Sequence, residues 1–157
     1  MKSRRCAREA ALQALYACDS LDDWSPTVVE DFFRSFQPVP EGELAPGESE
    51  NLSFCKRLIA GILEQLEIVD THIGTSSTRW SVSRMSRVDR NIIRIATYEL
   101  AFLKDIPPSV SINEAIEIAK RFGAPDSPTF VNGVLDKVAS ILRPEGRGEA
   151  SKRVANE

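Results

Sequence analysis

Apolar residues recur along this chain with helical spacing, not in alternation. In a first stretch, about Ser3 to Cys18, the residues Ala7, Ala11, Ala14, Leu15 and Cys18 form one helical stripe, and their small side chains let a neighbouring helix approach closely. Ser25-Pro26 sets an N-cap before a proline at the first position of a short helix, closed by Phe32, Phe33 and Phe36. The period of Cys55, Leu58, Ile59, Ile62, Leu66, Val69 and Ile73 predicts a long helix from about Glu50 to His72. A short piece around Thr78 to Val82 carries Trp80. Ser86-Arg87-Val88-Asp89 is a relaxed capping box opening a helix with Val88, Ile92, Ile95, Ala96 and Leu103 on its apolar side. After Pro107-Pro108, the segment Ser111-Ile112-Asn113-Glu114 is a full box, with Ala115, Ile116, Ala119 and Phe122 behind it and Gly123 as the stop. Ser127-Pro128 starts a last helix, with Val131, Val134, Leu135, Val138 and Leu142 along it, and Pro144 ends it.

The pattern predicts an all-α fold of about seven helices without a strand, read as a single domain over 1–143. Two segments fall outside the pattern. Residues 37–50, with Pro38, Pro40, Gly42, Pro46 and Gly47, read as an exposed mobile loop inserted in the domain. Residues 144–157 read as a polar, disordered tail.

No run of about 18 apolar residues is present, and no apolar stretch follows the N-terminal charges, so neither a membrane span nor a secretory signal is expected. Cys6, Cys18 and Cys55 are odd in number and lack C-x-x-C spacing. They argue against a disulfide framework or a zinc site and for a reducing cytoplasm. No cofactor motif, whether phosphate loop, dinucleotide fingerprint or H-E-x-x-H, occurs. The lone histidine, His72, reads as a helix C-terminal residue near the last carbonyls, and Cys18 and Cys55 as small core residues. No catalytic or metal-binding constellation results.

Charge is segregated although the net is only -3. Lys2, Arg4, Arg5 and Arg8 lie in the first eight residues without an acid, and Glu41, Glu43, Glu48 and Glu50 lie in 37–50 without a base. Arginines offer planar, multi-donor contacts to phosphate. Cations at a helix N-terminus oppose its dipole, so the placement calls for another reason than helix stability. Both a nucleic-acid contact and a solvated basic end remain open on these residues alone. In a second group, Arg79, Arg84, Arg87, Arg90 and Arg94, some are read as the solvent face of a helix, and Trp80 beside them either stacks on a base or, as is expected, fills a core corner. Phe130, one residue off the apolar stripe, either stacks on an unpaired base or is buried behind a cap at Ser127.

Several longer motifs carry a resemblance. Arg8-Glu9-x-Ala11-x-Gln13-Ala14-Leu15-Tyr16, Asp89-Arg90-x-x-x-Arg94-Ile95-Ala96-x-Tyr98-Glu99-Leu100, the stretch from Ser111 to Gly123, and Phe130-Val131-Asn132-Gly133-Val134-Leu135-Asp136 stand in one order over most of residues 4–142. Together they resemble the bacterial transcription antitermination factor NusB family.

The resemblance implies two packed three-helix bundles and an activity of assembly, not catalysis. It implies binding to boxA RNA of ribosomal RNA leader transcripts, together with NusE, a ribosomal protein, within an antitermination complex on RNA polymerase. By the same resemblance Lys2, Arg4, Arg5, Arg8, Asp126 and Phe130 are RNA-binding, and Tyr16 and Asp89 are partner-binding. The acidic loop is expected to lie away from the RNA face. The alternative is a self-associating helical module, a homodimer, with the basic cluster incidental. An RNA-modifying methyltransferase ranks last, because the chain leaves no room for a cofactor-binding α/β domain.

Overall fold

The computed structural model describes residues 1–36 and 41–145. Six α-helices and two 3₁₀ turns occur among them: α1 (Arg4–Leu21), α2 (Pro26–Phe36), α3 (Glu48–Ser76), α4 (Arg87–Phe102), α5 (Pro108–Phe122) and α6 (Ser127–Leu142), with 3₁₀ turns at Glu41–Glu43 and Val82–Arg84. No strand occurs among the described residues. The pieces divide into two compact units, with the boundary after Leu66.

In the first unit the Ser3 hydroxyl accepts from the Cys6 amide at 3.0 Å and caps α1. The predicted stripe, Ala7, Ala11, Ala14, Leu15 and Cys18, is fully buried, and Leu58, Ile59 and Ile62 of α3 bury their side chains in the same unit. Each fully buried leucine or isoleucine contributes about 1.5–3 kcal/mol. Helix α1 ends on Asp22, a non-glycine residue held left-handed at φ 49°, whose amide returns to the Asp19 carbonyl. On α2 the rings of Phe32 and Phe36 stack at 5.1 Å between centroids, and Phe33 lies edge-on to Phe32 at 5.4 Å.

In the second unit α4, α5 and α6 pack pairwise into a three-helix bundle. Ten consecutive residues of α4, Asn91 to Leu100, are buried. Such a helix is enclosed all round, and its polar members need partners. Glu99 accepts from the Ser111 hydroxyl at 2.9 Å.

Several boundaries differ from the sequence reading. Helix α3 starts at Glu48 and runs to Ser76, so part of the expected loop is helix and His72 lies before the final turn. Acids at the first turn suit the helix dipole, which favours this earlier start. Gln65 has non-helical angles, φ -109° and ψ 21°, and interrupts α3 next to the unit boundary. The Ser111 box does not cap anything. Helix α5 begins at Pro108, one turn earlier, and Ser111 spends its hydroxyl on Glu99. At Ser86 the box holds in one direction, with the Asp89 amide donating to the Ser86 hydroxyl at 3.1 Å. Ser127 is inside α6, not its cap, and its Oγ accepts from the Ala124 amide at 2.9 Å. Gly123 follows α5 with φ -92°, an ordinary value, so closeness rather than handedness selects it. A Cβ there would meet Ser127 Cβ and Oγ at 2.6 Å and the Ala119 carbonyl at 2.8 Å. Residues 37–40 of the acidic loop, and the tail from 146, lie outside the described residues.

Candidate nucleic-acid interface

The basic N-terminal segment is anchored at Met1. The Asn51 amide donates to the Met1 carbonyl at 3.0 Å, and the Met1 amine lies 3.7 Å from Glu48. From there the chain enters α1. Arg4 and Arg8, one turn apart, set their guanidinium groups over the same ring, Phe54 of α3, at 4.6 and 5.2 Å from its centroid. Arg8 is only 3% exposed, whereas Lys2, Arg4 and Arg5 are exposed. Of the two, Arg4 is the exposed one, so its guanidinium is the one within reach of a phosphate. A cleft of about 300 Å³ adjoins, lined by Arg4, Ser53, Phe54, Arg57, Ser49 and Glu50.

The end of the acidic run therefore does not avoid this region. Glu48 pairs with the N-terminal amine and Glu50 stands in the cleft with Arg4. The amine and the α3 N-terminus are both positive, and carboxylates settle there. Phe54 and Arg57 were not expected from the sequence. Phe54 adjoins Cys55, so a stripe drawn through the cysteine hides it. Its position one turn before Leu58 was the available signal.

Only part of the second group of arginines forms a solvent face. Arg94 is 6% exposed and grips Asp70 of α3, while Arg90 donates from Nη1 to the carbonyls of Val82 and Met85 at 3.2 Å. These two arginines build the second unit. Arg79, Arg84 and Arg87 are exposed.

Trp80 does not fill a core corner. It is 52% exposed on the turn after α3, where the Ser77 hydroxyl donates to the Trp80 carbonyl at 2.6 Å. It shares a cleft of about 350 Å³ with Phe130, which is half-buried on the first turn of α6. Asp126 stands exposed at the N-cap position of α6 without a side-chain capping bond. Tyr16, on α1, is 42% exposed. Asp89, in the first turn of α4, is half-buried, and its Oδ1 is shut from water without a hydrogen-bond partner.

Burial pushes the Cys55 thiol up to about 12, and burial, aided by Asp23, raises that of Cys18. Buried thiols of this kind are poor nucleophiles. Among the described residues no cluster of three or more His, Cys, Asp or Glu side chains is placed to hold a metal ion. No helix among them is long and apolar enough to cross a membrane.

A helical frame that sets arginines on an aromatic ring, and holds a second half-open aromatic cleft, is the frame of a binding module. The chain belongs to the NusB family, whose model matches residues 5–140. It is 46% identical over 142 residues to a transcription antitermination protein NusB of Geotalea uraniireducens, covering 90% of this chain and 97% of that one. Among solved structures, NusB of T. maritima is 41% identical, with a TM-score of 0.73 over 89% of this chain and 93% of that one. A structure of antitermination factors NusB and NusE in complex with dsRNA shares the fold at 24% identity, with a TM-score of 0.71 over 88% of this chain and 96% of that one.

Proposed function

We propose that this chain is a non-catalytic RNA-binding adaptor in transcription antitermination. It takes boxA-type RNA of ribosomal RNA leader transcripts, works with NusE, and helps assemble an antitermination complex on RNA polymerase in the cytoplasm. The observation that carries the reading is the pair Arg4 and Arg8 on the single ring of Phe54. Ordering two long cations against one ring concentrates positive charge at one place, as a phosphate contact requires. Family membership supports the reading, since a relative matched over 90% of this chain is a transcription antitermination protein.

In this reading Lys2, Arg4 and Arg5 contact phosphates, and the buried Arg8 holds the ring and its neighbour in place. Asp126 and Phe130 form a second contact region. Tyr16 and Asp89 face the protein partner. A partner's N–H or O–H reaching Asp89 Oδ1 would satisfy an acceptor that the free chain leaves buried and unpaired. Residues 1–143 form the working domain.

The test is a titration of labelled boxA-type RNA and a scrambled control, with and without NusE, at two salt concentrations. The expected result is sequence-selective binding that NusE strengthens and salt weakens. Equal weak binding to both RNAs, unchanged by NusE, together with self-association in light scattering, would favour the homodimeric module instead.

A further inference from the structure

We propose that the cleft between Trp80 and Phe130 in the second unit is a subsite for one unpaired nucleobase, with Trp80 as its stacking platform. The inference rests on the RNA-binding reading and adds residues to it. Three observations converge. First, Trp80 is 52% exposed although a tryptophan gains more than any other side chain from burial, and the Ser77 hydroxyl fixes its backbone from 2.6 Å. Second, the lining of the same cleft also includes Phe130 and two exposed cations, Arg79 and Lys137. An aromatic platform beside cations is the composition that single-stranded RNA uses, the ring for the base and the cation for the phosphate. Third, Ser76 lines the same cleft, is 3% exposed, and has an Oγ with no hydrogen-bond partner. A buried hydroxyl without a partner is costly, and a base edge supplies both donors and acceptors. The volume, about 350 Å³, lies at the small end of ligand sites and suits a single base rather than a longer segment.

Trp24 is the only other tryptophan, so the full-length Trp24→Phe variant makes Trp80 the sole indole emitter. Unstructured RNA is added to it while binding is followed separately by anisotropy of the labelled RNA. Quenching of Trp80 emission in step with binding is expected. Trp80→Ala should weaken binding about fivefold or more, and Trp80→Phe should restore most of it. Ser76→Ala should raise the melting temperature, because it removes an unsatisfied group, yet weaken RNA binding. A purely structural serine would not move the two in opposite senses. RNA that binds with Trp80 emission and affinity both indifferent to these changes overturns the subsite and leaves the RNA reading standing. Quenching by NusE but not by RNA assigns the cleft to a protein and overturns it too. No RNA binding at all overturns both readings.

Discussion

Arg94 and Asp70 meet as a two-pronged ion pair, Nε to Oδ1 at 2.8 Å and Nη2 to Oδ2 at 2.9 Å. A third nitrogen, Nη1, donates to Asn91 Oδ1 at 3.0 Å, and Asn91 in turn donates to the Arg87 carbonyl at 2.8 Å. The pair ties the end of α3 to α4 inside the second unit. Breaking a fully buried pair costs about 3–5 kcal/mol, because the surviving charge is left stranded. The Asp70 side chain is 29% exposed, which admits water and lessens the penalty. Asp70→Ala should therefore destabilise by about 2–3 kcal/mol, read as a lowered urea midpoint at constant slope. A midpoint within error of the parent would show the pair to be worth no more than a surface contact.

The same pair shows where sequence reading reaches and where it stops. Periodicity located the helices, since stripes such as Ala7-Ala11-Ala14 and Val131-Val134-Leu135 depend only on which positions are apolar. It missed the purpose of Arg94, because a helix enclosed on all sides buries its polar face as well, and the partner Asp70 lies 24 residues away. Ser111 reads locally as a cap, yet Pro108 starts the helix a turn earlier and frees the serine to serve Glu99. Trp80 and Phe130 are 50 positions apart in the numbering, so no local spacing joins them in one cleft. The basic segment was legible as charge, but its ring, Phe54, comes from another helix. The interruption at Gln65 has no proline or glycine beside it and left no mark in the pattern.

Gly123 is set by contact distance. Gly123→Ala would push a methyl into Ser127 and the Ala119 carbonyl, and overpacking of this sort costs about 1–3 kcal/mol. Gly74, inside α3, has nothing within 4 Å of a built Cβ. Gly74→Ala should instead stabilise by about 0.5–1 kcal/mol, the helical preference of alanine. Thermal melts of the two variants should shift in opposite directions.

The cysteines should differ in reactivity. Cys18 and Cys55 are buried and Cys6 is half-exposed. A thiol reagent should modify Cys6 alone in the native protein and all three after denaturation. Modification of all three without denaturant would contradict the packing of the first unit. Cys55 also has a pH consequence. Its folded value, about 12, exceeds the ordinary value of 9.0. The unfolded chain releases this proton first, so the contribution is complete below about pH 9 and is lost as pH rises toward about 12. The urea midpoint of the parent should fall faster than that of Cys55→Ala across this alkaline range.

Arg5 and Arg8 should separate binding from stability. Arg5 is exposed, so Arg5→Ala should weaken RNA binding, lower the salt slope by about 0.7 for one lost phosphate contact on a single strand, and leave the melting temperature nearly unchanged. Arg8 is buried on Phe54, so Arg8→Ala should reduce both affinity and melting temperature. Equal salt slopes for Arg5→Ala and the parent would remove Arg5 from the phosphate contacts.

The break at Gln65 also bears on how α3 opens. Its two stretches belong to different compact units, although one unbroken run of sequence makes them. Cooperative opening follows packing rather than chain continuity, so amides before and after Gln65 answer to different opening free energies. In native-state hydrogen exchange, the amides of Leu58, Ile59 and Ile62 should become labelled together with those of α1, and the amides of Val69 and Ile73 together with those of α4. One continuous run of sequence would then behave in solvent as two clocks.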